Sequence, residues 1–415
     1  MSDLRPRTNR TGQATLARHG RLRPRGPWGL VAKIVAAFVG VMLISTTAIG
    51  AYAALNIVGG TKQAVALVDE NGKAVTPQVG AMNGAFNVLL AGSDSGGGDP
   101  KYGQRGENLN DVTMVLHVSA DHKNATVISF PRDTFVPIPS CPDPKGGSYS
   151  AMSRQKINTS LSYGGLACTV LTVEQLTGLT IPYAAMIEFD GVIAMSDAVG
   201  GVPVCLAGRL DDDQVNPALH LKAGNYNLKG GLALSYLRTR HAIGDGSDLG
   251  RISNQQSFLS SLMRTIKSAK TLGDPVKLYS IALAAANHMT LSQSMKSIPT
   301  MVSMAAALKN IDLNQVVFVQ YPNHFVDGGV EPDAEAAAQL VAAVKADKSL
   351  ELTGTTGVGT EAKASAASAA PSSTPQPTGS SLPSNTPAAD ASAVLPDTVH
   401  GQTAAQETCA KPYQG

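Results

Sequence analysis

The stretch Phe86-Asn-Val-Leu-Leu-Ala-Gly-Ser-Asp94 predicts the kind of fold that this chain adopts. Its apolar residues end in Gly, Ser and Asp, which is typical of a strand buried inside a sheet. Ligands of open α/β sheets bind beyond the carboxyl ends of strands, so Asp94 is expected beside a functional site. An isolated Asp can also do no more than cap the next turn, and both interpretations stay open at this point.

Apolar runs alternate with helical patterns on the C-terminal side of this strand. Further strands are predicted at 112–118, 126–130, 184–189, 202–206 and 316–321, and helices at 166–176, 191–199, 231–240, 252–269 and 334–345. Strands that alternate with helices indicate a sheet covered on both faces. The sequence therefore predicts an α/β domain with a central mixed β-sheet flanked by helices, including an antiparallel hairpin at 112–130.

A charge-free run of 22 residues, Ile34–Leu55, precedes the predicted domain. A helix of that length crosses roughly 30 Å of hydrocarbon. Eight Lys or Arg residues and one acid lie between Met1 and Lys33, so the positive-inside rule places the N-terminus in the cytoplasm and the rest outside. The alternative is a cleaved signal peptide with its site near Ala51-Tyr52-Ala53, which also exports the body of the protein. We expect a single-pass protein of the cell membrane with an extracytoplasmic domain.

Composition divides the chain into five parts. They are a basic cytoplasmic arm at 1–33, a transmembrane helix at 34–55, a stem at 56–82, a folded domain at 83–352 and an Ala/Ser/Pro-rich tail at 353–415. The tail is expected to be disordered, because it holds too little apolar surface to offset the entropy of ordering. The arm suits acidic lipid headgroups, and the nearly neutral remainder gives no support for a nucleic-acid partner.

Four cysteines agree with an extracytoplasmic location, where an even number indicates disulfides. Cys141 and Cys168 bracket a loop rich in Pro, Gly and Ser and form the preferred pair. Cys205 and Cys409 are left over, and a bond between them would tie the tail to the domain. There is no CxxC motif and the spacing does not suit zinc.

Polar residues at the ends of predicted strands are the first candidates for a site. Asp94 ends one strand and Asp111 opens the next, and a pair of carboxylates would suit Mg²⁺ together with phosphate oxygens. Pro131 ends another strand and holds Arg132 at the edge of the sheet. Lys156 precedes a helical stretch. Each of these charges can also be an ordinary surface or turn residue.

The densest cluster of cations begins at Arg238 and Arg240 and continues with Arg251 on the next helix. Arginine makes bidentate contacts with phosphate oxygens and keeps its charge when partly desolvated. Gln255 lies four residues after Arg251 and so shares its helix face. A charged surface loop is the alternative interpretation. The chain contains no Ser-His-Asp order, Gly-x-Ser-x-Gly elbow, Walker loop or dinucleotide fingerprint.

Taken together, these segments resemble the LytR-CpsA-Psr family of cell-wall ligases. The likeness spans roughly Asn83–Thr265 and keeps order and spacing. Besides the single N-terminal membrane helix, the matching blocks are Leu89-Leu-Ala-Gly-Ser-Asp-Ser95, Asn110-Asp-Val-Thr-Met114, Ile128-Ser-Phe-Pro-Arg-Asp-Thr134, Lys156-Ile-Asn158, Tyr163-Gly-Gly165, Leu237-Arg-Thr-Arg240 and Asp248-Leu-Gly-Arg-Ile252 with Gln255-Gln256.

The resemblance implies an α/β domain with a hydrophobic groove for a polyprenyl chain. It implies a cofactor, Mg²⁺ or alternatively Mn²⁺, held by Asp94 and Asp111. The residues that it implies around the diphosphate are Arg132, Lys156, Arg238, Arg240, Arg251 and Gln255. Of these, the three arginines Arg132, Arg238 and Arg240 would act in catalysis together with the two aspartates.

The family's reaction joins a glycopolymer, carried by a polyprenyl pyrophosphate, to a peptidoglycan hydroxyl through a phosphodiester. The residue that takes the hydroxyl proton stays open between Asp111 and Asp248. One departure is Leu109, which stands where the family often has Arg, two residues before the second Asp. Two rival functions use the same site: a non-catalytic envelope scaffold that binds polyprenyl phosphates, and a pyrophosphatase that uses water as the acceptor.

Overall fold

The computed structural model describes residues 64–69, 72–75, 82–94, 108–143, 145–363 and 392–413. The predicted cytoplasmic arm, the predicted transmembrane helix and most of the predicted stem lie outside these ranges. Within them, no helix combines the length and the apolar character needed to cross a bilayer. The expectation of a membrane anchor at 34–55 therefore stays a prediction.

The described strands and helices follow the alternation expected from the sequence. The strands are β1 Phe86–Ser93, β2 Asn110–Val118, β3 Ala125–Phe130, β4 Phe135–Ile138, β5 Cys141–Pro142, β6 Ser148–Tyr149, β7 Met152–Lys156, β8 Tyr183–Ile187, β9 Val202–Leu206, β10 Leu210–Asp212, β11 Leu219–Leu221, β12 Gly224–Leu228, β13 Met289–Leu291, β14 Val316–Gln320, β15 Asn323–Val326, β16 Gly329–Pro332, β17 Leu350–Leu352, β18 Thr360–Ala362, β19 Ala393–Leu395, β20 Gly401–Thr403 and β21 Thr408–Ala410. The helices are α1 Ser160–Thr177, α2 Phe189–Ala198, α3 Gly230–Arg238, α4 Asp248–Lys267, α5 Ala269–Leu272, α6 Pro275–His288, α7 Ile298–Lys309 and α8 Ala334–Lys345.

A seven-stranded mixed sheet forms the centre, in the order β13-β8-β1-β2-β3-β14-β20. β1 pairs with β8 in parallel and with β2 in antiparallel orientation. β2 and β3 form the predicted antiparallel hairpin, with Val115 opposite Ile128. Both of these side chains are completely buried. Continuous apolar runs of this kind are typical of strands that are covered on both faces.

Helices cover both faces of this sheet, as the sequence predicts. On one face, α1 and α8 pack against Leu89 and its neighbours through residues such as Val170 and Leu340. On the other face, Met304 of α7 and Leu259 of α4 pack against Met114. The mixed α/β architecture predicted from the sequence is therefore confirmed.

A second sheet, in the order β12-β9-β21-β18, surrounds a smaller apolar core with α3 and α4. Its strands β9 and β21 run parallel and place Cys205 opposite Cys409. These cysteines form a disulfide that joins positions 204 residues apart. The other disulfide, Cys141–Cys168, links β5 to α1. Both predicted pairings are confirmed.

The predicted disorder of the whole tail is wrong for its described residues. Residues 353–363 and 392–413 contain four short strands, of which β20 adds to the edge of the central sheet and β21 to the second sheet. The C-terminal part carries apolar side chains such as Leu395 and Val399 that are buried, and its Cys409 is bonded to Cys205. Composition alone averages these residues with the Ala/Ser/Pro-rich segment 364–391, which lies outside the described residues.

Candidate active site

The ends of three central strands bring the predicted site residues together. β2 runs antiparallel to both β1 and β3, so its first residues lie at the edge where β1 and β3 end. The pairing places Ser93 opposite Asn110 and Thr113 opposite Phe130. Asp111 at the start of β2 and Arg132 after β3 therefore meet at one edge, where α/β sheets bind ligands.

Asp111 and Arg132 form a direct ion pair at this edge. The Arg132 Nη1 donates to Asp111 Oδ1 at 2.6 Å. Pro131 separates Arg132 from the last residue of β3, so the guanidinium turns across the strand ends. Both side chains are 22% exposed, which leaves the pair accessible but partly desolvated.

Helix α4 supplies the second arginine of the cluster. Ser247 caps α4 by accepting from the N–H groups of Leu249 and Gly250. Arg251, one turn into the helix, forms an ion pair through Nη2 with Asp248 Oδ1 at 2.5 Å and donates a hydrogen bond to the Asp111 carbonyl oxygen at 3.1 Å. Its Nη1 lies 3.7 Å from Asp111 Oδ2. Asp111 is thus shared by two arginines from separate parts of the chain.

Burial and neighbouring charges shift the pKa values of two groups in this cluster. Burial raises the pKa of the Asp248 carboxyl above its ordinary value, and the nearby Arg251 and Arg132 only partly oppose that rise. For Arg132, burial alone would lower the pKa, but Asp111 by charge and by hydrogen bond, with further help from Asp248, raises it overall. Arg132 is therefore a permanent cation in the cluster.

Lys156 belongs to the outer layer of this cluster. Its Nζ donates to Asp133 Oδ1 at 3.0 Å, and Asp133 Oδ2 lies 3.4 Å from Arg132 Nε. Lys156 therefore reaches Arg132 only through Asp133. This arrangement positions the arginine and neutralises the adjacent carboxylate.

An apolar cavity of about 150 Å³ opens beside the cluster. The polar residues on its wall are Ser93, Asp111, Glu188, Ser196, Arg238, Arg251 and Gln255, and the remainder is almost entirely aliphatic or aromatic. Along α4, the wall passes from Arg251 and Gln255 to Leu259 and Leu262. Leu262 lies eleven positions after Arg251 along the helix, a rise of about 16 Å. The cavity is therefore charged at one end and apolar further in.

Arg238 is positioned at the charged end by packing. Its guanidinium carbon lies 4.3 Å from the centre of the Phe189 ring, at a distance that suits a cation–π contact. Gln255 donates through Nε2 to the carbonyl oxygen of Leu237, which fixes the end of α3 against α4. The two residues line one wall of the cavity together with Arg251.

Arg240 is not among the residues that line the cavity. It follows the end of α3, and its Nη2 lies 3.4 Å from His241 Nε2. Of the predicted arginines, the structure therefore brings Arg132, Arg238 and Arg251 to the cavity or to the cluster, whereas the predicted role of Arg240 stays a prediction.

Asp94 lies directly beyond β1 and is 3% exposed. Its Oδ1 accepts the N–H of Leu109 at 3.1 Å, so this oxygen joins the end of β1 to the residue directly before β2. Among the described residues, no group of three or more His, Cys, Asp or Glu side chains could hold a metal ion. Mg²⁺ needs fewer protein ligands, since phosphate oxygens and water complete its shell.

The donor set near Asp94 and Asp111 fits such a hard cation. Both are carboxylates, and Asn110 between them in the paired strands is fully buried. In the described part of the chain, the side-chain oxygen of Asn110 has no hydrogen-bond partner. It adds a neutral oxygen donor to the two carboxylates at the same strand ends.

Phe189 and Asp248 are site residues whose observed contacts were not predicted from the sequence. β8 runs parallel to β1 and ends at Ile187, so Glu188 and Phe189 lie at the same edge as Asp94. The predicted strand ran through Phe189, and ending it earlier would have revealed this residue. Asp248 was expected only as a proton acceptor, yet it holds both Arg132 and Arg251.

Comparisons with known proteins agree with this architecture. The LytR_cpsA_psr family model matches residues 53–349. The cell wall biosynthesis protein LcpA of Corynebacterium glutamicum is 30% identical over 325 residues, covering 72% of this chain and 61% of that protein. The chain thus spans about three fifths of the length of this relative.

Two further proteins are similar over a comparable part of the chain. One is TagT of Bacillus subtilis, named a polyisoprenyl-teichoic acid–peptidoglycan teichoic acid transferase, which is 25% identical over 296 residues, with 70% of this chain and 86% of that protein covered. The other is the crystal structure of protein gbs0355 from Streptococcus agalactiae, at a TM-score of 0.51 and 20% identity. It covers 64% of this chain and 88% of that one, and it shows a shared fold.

Proposed function

The chain belongs to the LytR_cpsA_psr family, and from this membership and the site we propose that it is a phosphotransferase of cell-wall assembly. It moves a glycopolymer from a polyprenyl-pyrophosphate carrier to a peptidoglycan hydroxyl and forms a phosphodiester. The relative TagT, named as a transferase of polyisoprenyl-linked teichoic acid to peptidoglycan, supports this reaction class.

The apolar cavity with a charged rim is the observation that carries the proposal. A polyprenyl pyrophosphate has an anionic head on a hydrocarbon tail. The cavity wall matches this order, because Arg238 and Arg251 lie at the rim and Leu259 and Leu262 lie further in. Apolar walls lower the free energy of a buried tail by roughly 25 cal/mol per Å². The guanidinium groups attract the diphosphate at the rim.

The reaction requires one bond to form and one to break. The acceptor oxygen bonds to the phosphorus that bears the glycan, and the bond from that phosphorus to the bridging oxygen breaks. Polyprenyl phosphate leaves with the bridging oxygen, and the acceptor proton passes to a carboxylate. Asp111 and Asp248 are the two candidates, since Asp111 lines the cavity and Asp248 lies beside it, held by Arg251.

The arginines stabilise the charge that builds on the phosphate oxygens as the bridging bond breaks. Positioned cations in a partly desolvated site need little reorganisation during the reaction, which makes them effective. Arg238 is held by Phe189, and Arg251 by Asp248. No covalent intermediate on the protein is required for such a transfer.

A divalent cation, Mg²⁺ or Mn²⁺, is part of the proposal. Asp94 and Asp111 would hold it, with the Asn110 oxygen as a further donor nearby. When bound, such an ion would supply positive charge against the diphosphate and polarise the phosphorus. Removing divalent cations with EDTA is expected to abolish transfer, and adding back Mg²⁺ to restore it.

The location belongs to the same proposal. The charge-free run Ile34–Leu55 anchors the chain in the cell membrane, with the domain on the outer side, where both carrier and peptidoglycan are reached. The two disulfides support this placement, because they persist in oxidising compartments.

A transfer assay with lipid-linked donor and peptidoglycan acceptor tests the proposal. Arg238→Ala is expected to lower the rate by about 10²–10³-fold, as for other lost transition-state donors. Arg209→Ala is the matched control, because the Arg209 side chain is 65% exposed and pairs with Asp211 on β10. Equal rates for the two variants would contradict the proposal.

Two rival functions are separated by the same assay. Phosphate or lipid phosphate released at full rate without any glycan acceptor would identify a pyrophosphatase. Donor binding without product, unchanged by EDTA, would identify a binding scaffold.

A further inference from the structure

The corner between α5 and α6, residues 268–278, presents apolar side chains to solvent. Leu272 is 39% exposed, Val276 71% and Leu278 39%. Among the exposed large apolar side chains of the described residues, these three form the densest group in the sequence, within seven positions. We call this segment the α5–α6 corner.

Cations accompany these apolar residues. Six Lys or Arg and one acid, Asp274, lie between Met263 and Ile311, whereas the whole chain has a net charge of +2. Arg264 and Lys267 are used internally, because they donate to the carbonyl oxygens of Ala404 and Leu308. Lys270 precedes the exposed apolar residues and Lys277 lies between Val276 and Leu278, and within the described ranges neither lysine has a carboxylate partner.

The α5–α6 corner also continues the helix that lines the cavity. α4 runs from Arg251 at the charged end past Leu262 to Lys267, and α5 follows after one residue. α6 packs against α2, which contributes Val192 and Met195 to the cavity wall. The apolar end of the cavity therefore points towards the α5–α6 corner.

The chain before the domain also leads to this region. The backbone of Val65 bonds to Leu291, the last residue of β13, and to Gln293 just after it, and β13 directly follows α6. Only about ten residues separate Val65 from the end of the apolar run at Leu55, and they span at most roughly 35 Å when extended. The described chain thus enters the folded domain next to β13, which follows the C-terminal end of α6.

We propose that the α5–α6 corner docks on an anionic lipid bilayer, with Leu272, Val276 and Leu278 inserted below the headgroups and Lys270 and Lys277 paired with acidic lipids. Apolar side chains flanked by lysines are the features that bind such interfaces. The inference rests on the proposed function, since docking here delivers the carrier's tail to the cavity without drawing it fully into water. The partner is thus a membrane surface, not a second protein or a soluble polymer.

Depth-dependent quenching on the full-length protein tests the docking. Val276→Cys adds one thiol to a chain whose four cysteines are all in disulfides, so an environment-sensitive fluorophore can be attached there. Val394→Cys is the matched control, because Val394 is also an exposed valine, at 61%, and lies on β19. In vesicles of phosphatidylglycerol and phosphatidylcholine, brominated lipid is expected to quench the label at 276 and not the label at 394.

A lysine variant and uncharged vesicles test whether the docking requires opposite charges. Replacing Lys270 and Lys277 together by Gln is expected to weaken membrane binding. The lipid concentration that gives half-maximal quenching at 276 should rise about 25-fold, at about fivefold per lysine. Pure phosphatidylcholine vesicles should give a similar loss. Equal quenching at 276 and 394, quenching that ignores lipid charge, or protection of the 276 label by soluble anionic glycopolymer alone would overturn the proposal.

The transfer assay on the same preparations separates this inference from the proposed function. Val276→Asp is expected to slow transfer from vesicle-embedded donor at least tenfold, and to leave transfer from a soluble short-chain donor unchanged. Normal transfer without quenching at 276 would contradict only the docking. Quenching at 276 without any transfer would contradict only the proposed function.

Discussion

The shared carboxylate of Asp111 is the centre of the site at the scale of single residues. It accepts from Arg132 and lies beside Arg251, and these two arginines come from positions 119 residues apart in the sequence. Their positions at strand ends and at a helix start predicted each of the three residues separately. The sharing of one carboxylate by two arginines could not be predicted, because it depends on how α4 packs against β2, and no local sequence pattern encodes that packing.

Asp248 gives a prediction about pH. Since burial raises its pKa above the ordinary value of about 4, protonation of the folded protein begins at a higher pH than for a free Asp. Protonated Asp248 no longer holds Arg251 and Arg132, so kcat/KM is expected to fall as pH drops through this raised pKa. In Asp248→Asn this acidic limb should vanish and the rate be low throughout. An unchanged limb in the variant would assign the titration to another group.

The stability effect of the same group has the opposite sign. A carboxyl whose folded pKa is raised disfavours the folded state when it is ionised, and protonation relieves that cost. The contribution of Asp248 to the free energy of unfolding should therefore increase as pH falls through its folded pKa. Urea unfolding of the wild type and of Asp248→Asn at several pH values measures this difference.

Arg251 is predicted to stabilise the fold as well as the reaction. Arg251→Ala leaves Asp248 buried beside Arg132 alone, and breaking a buried pair costs about 3–5 kcal/mol. Arg154→Ala is the control, because its pair with Glu331 is exposed and contributes at most about 1 kcal/mol. The free energies of unfolding in urea give both values. A loss at Arg251 as small as that at Arg154 would mean that the cluster has only a surface role.

At the scale of elements, α4 connects the charged cluster to the apolar cavity. Its first turn carries Asp248 and Arg251, and its later turns carry Leu259 and Leu262. The sequence predicted a helix at 252–269, close to the observed Asp248–Lys267. The helices α6 and α7 were not predicted, because their Ala-, Ser- and Met-rich sequences offer little contrast between an apolar and a polar face.

Filling the cavity tests the role of this element. Leu262→Trp is expected to lower transfer from a long-chain polyprenyl donor at least tenfold and transfer from a short-chain donor much less, because the ring occupies the inner end of the cavity. The accompanying overpacking costs about 1–3 kcal/mol. Leu232→Trp is the control, since Leu232 on α3 is 42% exposed. Rates measured with donors of graded chain length check this, and an equal loss for all lengths would argue against a tail-binding cavity.

At the scale of the whole molecule, the C-terminal residues complete both sheets. The strands of the central hairpin were predicted well, because each is a continuous apolar run between polar residues. The tail strands were not, since β18 to β21 have only three residues each, and β20 and β21 gain their order from partners more than 80 residues away. Short strands of this kind carry almost no local signal.

The disulfide between Cys205 and Cys409 is predicted to hold this completed fold. Replacing both cysteines by Ser should lower the free energy of unfolding by about 2–5 kcal/mol, because the bond closes a long loop in the unfolded chain. Limited proteolysis should then remove the C-terminal strands first. The Cys141→Ser, Cys168→Ser pair closes a loop of only 27 residues and is expected to cost less. Equal resistance of the tail in all variants would show that its strands hold without the bond.

One amphiphile is expected to occupy both the charged rim and the apolar cavity, and a crystal structure with a bound polyprenyl pyrophosphate tests this most directly. We predict diphosphate oxygens within hydrogen-bond distance of Arg238 and Arg251, and hydrocarbon density running past Leu259 towards Leu262. Lipid bound elsewhere, with the diphosphate away from both arginines, would contradict this prediction.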